Sequence, residues 1–92
     1  MVYERMLAEY QRLEAEILSV KKQISALPEG NLTCARNGNY YKWYHSDGHK
    51  QTYIPKEEQS LAEQLAKKKY LVLVLKELQN EKIAIESYLK YH

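Results

Sequence analysis

This chain is poor in the residues that staple, stiffen or anchor a protein. Its one cysteine, Cys34, excludes an internal disulfide. Its longest apolar run, Tyr70-Leu71-Val72-Leu73-Val74-Leu75, is far too short to span a bilayer. No secretory or lipidation signal is legible, so the expected location is the cytoplasm, with no membrane partner, and the sequon Asn31-Leu32-Thr33 is discounted. Three isolated glycines cannot build a phosphate-cradling loop. Charge of one sign is also scarce: 14 basic against 12 acidic side chains leave +2, well short of a dedicated nucleic-acid binder. Both outer thirds are balanced, and the excess falls between residues 28 and 56, where Arg36, Lys42, Lys50 and Lys56 face only Glu29 and Asp47.

The prolines and glycines that do occur act as punctuation. Before Pro28, Tyr3, Met6, Tyr10, Leu13, Ile17, Val20, Ile24 and Leu27 alternate in steps of three and four, the a/d seam of a coiled coil. This predicts a helix over about 2–27, stopped by Pro28 and Gly30. Downstream, Pro55 followed by Glu57 and Glu58 suits a helix start, and no further glycine or proline occurs up to Tyr91, which predicts a second helix over about 57–91. Residues 70–75 are apolar all round and read as helix needing cover on several sides. A second copy of the chain is the cheapest cover, so the helices are expected to form a coiled-coil-like hairpin or homodimer, with Tyr10, Leu13, Ile17, Val20, Leu71, Leu73, Val74, Ile85 and Leu89 as the candidate dimer interface. Helix two is expected to overrun helix one around Ile85, Tyr88 and Leu89.

Between the helices lie two turn dipeptides, Asn37-Gly38 and Asp47-Gly48, on either side of Tyr40-Tyr41-Lys42-Trp43-Tyr44-His45. Such dipeptides favour two-residue hairpin loops, which predicts a three-stranded antiparallel meander over 31–54 and an α+β single module over 1–92. The implied register sets Leu32 opposite Trp43, Cys34 opposite Tyr41, Tyr44 opposite Gln51 and Lys42 opposite Tyr53. Alternation then sorts Leu32, Cys34, Tyr41, Trp43, Thr52 and Ile54 onto a core face. The opposite face carries Thr33, Ala35 and the candidate binding residues Tyr40, Lys42, Tyr44, Gln51 and Tyr53.

Little here supports catalysis. His45, Asp47 and His49 crowd one turn, but Cys34 belongs to another region, so the expected metal and cofactor complement is none. Acidic residues interleave with lysines on helix surfaces, where solvated pairs are the ordinary outcome, and Lys67-Lys68-Lys69 reads as a solvated helix surface. No catalytic residue and no small-molecule substrate are expected, and the chain reads as a non-enzymatic interaction module presenting its aromatic face to a protein partner or a neighbouring domain. The alternative is DNA binding, because tyrosines with interspersed cations suit single strands and a short sheet fits a major groove.

The order Leu27-Pro28-Glu29-Gly30-Asn31-Leu32, then Asn39-Tyr40-Tyr41-Lys42-Trp43-Tyr44, then Tyr53-Ile54-Pro55-Lys56-Glu57 and Leu61-Ala62-Glu63-Gln64-Leu65-Ala66 with Lys69-Tyr70 resembles the N-terminal region of an uncharacterised protein group of clostridial gut bacteria. In longer members that region precedes a segment resembling a restriction-endonuclease-like nuclease. The resemblance implies an accessory module whose catalytic partner lies elsewhere, and it transfers no catalytic residue. At the level of topology alone, the meander followed by a helix is also similar to integrase arm-binding domains, which implies the DNA alternative, an accessory domain of a nuclease-like or mobile-element protein.

Overall fold

The computed structural model describes residues 1–91, apart from the Asn37 side chain. The fold is α+β: helix α1 (Val2–Ser25), strands β1 (Asn31–Asn37), β2 (Tyr40–Ser46) and β3 (Gln51–Tyr53), a single 3-10 turn (Lys56–Glu58), and helix α2 (Gln59–Lys90). The sheet is antiparallel in the order β1-β2-β3. No helix among the described residues is long and apolar enough to cross a membrane. The chain divides into two compact units, residues 1–24 with those from Leu71 onward, and Ser25–Tyr70.

The first unit is a helix hairpin. α1 buries Leu13, Ile17 and Val20, three consecutive seam positions, and α2 answers with Leu71. Lys82 bridges the helices, lying 5.4 Å from the Tyr10 ring centroid and 3.8 Å from Glu14. Those contacts bring residues 85–89 alongside the early turns of α1, where Ile85, Tyr88 and Leu89 are half-buried. The expected overrun of helix two does not occur. Neither is the run at 70–75 covered all round: Leu71 is buried and Val74 and Leu75 half-buried, while Tyr70, Val72 and Leu73 stay exposed. The seam of α2 is in fact Leu71, Leu75, Leu78, Lys82, Ile85 and Leu89, and its one charged member hides the period. Lys82 is half-buried but Glu14 is exposed to water and the two charges stand 3.8 Å apart, so their pairing contributes about 0–1 kcal/mol.

The second unit holds the meander and the first part of α2. α1 stops at Ser25, two residues short of the expected Leu27, because the residue before a proline avoids the α conformation. The link into β1 is bound by side chains: Lys68 Nζ donates to the carbonyls of Pro28 and Gly30 at 3.2 and 3.3 Å, and His45 Nε2 donates to that of Glu29 at 2.6 Å. Lys68 is half-buried, and a charged donor in that setting contributes roughly 1.5–3 kcal/mol. Ile54 and Leu65 are the buried residues of this unit.

Both hairpin registers differ from expectation by two residues. Gly38-Asn39, not Asn37-Gly38, forms the first loop, so Leu32 faces His45, Cys34 faces Trp43 and Arg36 faces Tyr41. Gly38 has φ +66° and no described non-glycine residue has positive φ, the pattern of a type II′ turn with glycine in its first central position. The second loop runs from Asp47 to Lys50, so Tyr44 faces Tyr53 and His45 faces Thr52. Asp47 accounts for the extra length: its carboxylate accepts the backbone N–H of His49 at 3.0 Å and of Lys50 at 2.8 Å. A slip of two residues preserves the alternation, so every side chain keeps its expected face.

The Asp47 hydrogen bonds carry a pH signature. Accepting the amides of His49 and then Lys50 holds its carboxyl below the ordinary aspartate range. A depressed native value means that the turn is fully favoured above the unfolded pKa and loosens as pH falls through the native one. In an NMR titration the His49 and Lys50 amide resonances should therefore move together at a pH below the ordinary aspartate range. Movement within or above that range would show that the carboxylate is not so engaged.

Candidate binding groove

The expected core face of the sheet is only partly covered. Ile54 is buried at 6 % exposure and Leu32 half-buried, but Trp43 is 43 % exposed and Tyr41 62 %. Cys34 and Thr52 are exposed as well, so neither belongs to the core. The reason is geometric. A helix with its side chains is about 10–12 Å across, while three strands about 4.8 Å apart present a wider surface. Two of the α2 residues that line this space are also short. Ala62 and Ala66, one turn apart on α2, stand with Gln59 and Glu63 against Leu32, Tyr41, Trp43 and Ile54. The result is an open groove of about 440 Å³, whose lining is completed by Lys42, Tyr53, Pro55 and Lys56.

The groove is chemically simple. Its walls are aromatic and aliphatic, and Lys42, Lys56, Gln59 and Glu63 supply polarity. It has the size and composition of a surface that accepts bulky apolar side chains. Among the described residues no group of three His, Cys, Asp or Glu side chains is placed to hold a metal ion. The groove residues Ala62, Ala66 and Gln59 were not legible as a site in the sequence. The one available signal was the pair of alanines spaced by four in an otherwise long-side-chain helix.

The tyrosine face is less unified than the sequence implies. Tyr44 and Tyr53 meet edge to face, with centroids 5.9 Å apart and planes at 66°. Gln51 is exposed at the β3 end, opposite Ser46. Lys42 is not opposite Tyr53; it pairs with Ala35 and lies beyond the three-residue β3. Tyr40, 76 % exposed, sits at the first loop with Asn37 as its partner. The candidate face is thus split between a tyrosine pair and a separate Tyr40–Lys42 end. Of the nine candidate dimer residues, Leu13, Ile17, Val20 and Leu71 are buried within one chain; Tyr10, Val74, Ile85 and Leu89 are half-buried, and Leu73 is 59 % exposed. The heptad seam is therefore used inside the protomer.

Comparison of the chain with protein-family models, with curated proteins and with solved structures finds no match. The clostridial resemblance rests on the quoted residues alone.

Proposed function

We propose that this chain is a non-enzymatic protein-interaction module whose groove takes one or two bulky apolar side chains from a protein partner. The observation that carries the reading is Trp43, held 43 % exposed over a cleft that Ala62 and Ala66 leave unfilled. A large aromatic ring half in water is a binding anchor in waiting, since tryptophan is enriched among interface residues that dominate affinity. Nucleic acid is the less favoured occupant. Two lysines, Lys42 and Lys56, line the groove against the carboxylate of Glu63, a small net charge for a phosphate backbone, and the Tyr44–Tyr53 pair presents crossed planes to a base stack.

Selection of peptides from a random library on the wild-type protein, counter-screened against Ala66→Leu, tests this. Leucine is a good helix former and enlarges the side chain only into the groove. Selected peptides should share a bulky apolar residue, quench or shift the fluorescence of the single tryptophan, and lose at least tenfold in affinity on Ala66→Leu. If no selected peptide depends on Ala66, the groove is not the site. Salt-dependent retention of DNA or RNA, weakened by Lys42→Ala, would instead favour the nucleic-acid reading.

A further inference from the structure

The open edge of β1 points to a second copy of this chain. We infer that two protomers associate by antiparallel pairing of β1 with β1, joining their three-stranded sheets into one six-stranded sheet about a two-fold axis at Cys34. In a hairpin with a two-residue loop, the pair that closes the loop exchanges both of its hydrogen bonds. That pair is Asn37 and Tyr40, so Asn31, Thr33, Ala35 and Asn37 turn their backbone polar groups toward β2. Leu32, Cys34 and Arg36 turn theirs outward, and among the described residues no backbone hydrogen bond reaches them.

Natural sheets protect such an edge with proline, charged side chains, a bulge or brevity. β1 carries a single charge, Arg36 near one end, and otherwise none of these: it runs Asn-Leu-Thr-Cys-Ala-Arg-Asn for seven residues in unbroken register with β2. The other edge, β3, is protected by its length of three residues and by Pro55 close behind. The outward groups are also self-complementary in one register only. With Cys34 opposite the second copy's Cys34, Leu32 meets Arg36 and Arg36 meets Leu32, so all three outward residues are paired. A shift by one outward residue in either direction sets an outward residue against Gly30 or Gly38, both at positive φ and outside the strand.

The side chains fit the same arrangement. Thr33 and Ala35 face each other across the new seam and are small enough for close approach. Antiparallel pairing brings the end of one strand preceded by Glu29 beside the end of the other that carries Arg36, whereas parallel pairing would set like ends together. Cys34, at the centre, is exposed in the single chain and available for contact. This inference is independent of what fills the groove.

The test reads oligomeric state and amide protection together. Wild-type protein in sedimentation equilibrium from about 1 to 200 µM should move from the 10.9 kDa chain mass toward twice that value, a range suited to an interface smaller than the standard size. Over the same range, hydrogen exchange at the amides of Leu32, Cys34 and Arg36 should slow at least tenfold, while Thr33 and Ala35, already paired within the hairpin, change little. Cys34→Lys sets two ammonium groups opposite each other at an exposed position and should weaken association at least tenfold with unchanged far-ultraviolet circular dichroism. A wild-type chain that stays monomeric to 200 µM overturns the inference. So does a dimer that survives Cys34→Lys, or one whose alternate β1 amides gain no protection; dissociation by Leu73→Glu alone would place the contact on the helices.

Discussion

Gly30→Ala should cost about 3 kcal/mol or more, a large share of the stability of so small a protein. Two effects combine at this position. Gly30 has φ +98°, where a side chain introduces backbone strain. A Cβ there would also stand 2.5 Å from His45 Nε2 and 2.7 Å from the Ser46 carbonyl oxygen. The second neighbour is strand backbone and cannot rotate away, and moving the first disturbs its hydrogen bond to the Glu29 carbonyl. Gly48 is the matched control: its φ is +96°, but a Cβ there meets nothing within 4 Å, so Gly48→Ala should cost only the strain, about 1 kcal/mol. Urea unfolding followed by Trp43 fluorescence measures both. Equal losses at the two glycines would mean that the link between α1 and β1 does not press against β2.

The next largest effect is expected in the helix hairpin. Leu13 is fully buried at 0 % exposure, and Leu13→Ala should lose about 3 kcal/mol from lost transfer energy and the cavity left behind. Leu18, five positions later on the same helix and 65 % exposed, provides the contrast: Leu18→Ala should change stability by no more than about 0.5 kcal/mol. Unfolding monitored by the helical circular dichroism signal separates the two. Losses of similar size would mean that the intrachain seam is not what holds the helices, and that a surface including Leu18 is buried in an assembly.

A register displaced by two residues changes every cross-strand partner and no face. Asn-Gly and Asp-Gly identify hairpins, yet the dipeptide alone does not say which residues form the loop. Asp47 decided the second loop through a side chain that captures two amides, and Gly38 decided the first by occupying the leading central position. Both displacements are of two residues, so the faces persist while the partners differ, and Lys42 lies opposite Ala35 instead of Tyr53.

The amino-acid order by itself determined the succession of elements and the face of each strand, because periods of 3.5 and 2 and the positions of Pro28 and Pro55 are local properties of the chain. Tertiary structure alone decided where those faces are buried. A heptad seam serves an intrachain hairpin or a dimer equally well, and only the folding back of α2 engaged Leu13, Ile17 and Val20 within one protomer. It also decided that Trp43 lines a groove instead of a core, since the volume left there depends on which α2 residues line it, and two of those are the short Ala62 and Ala66.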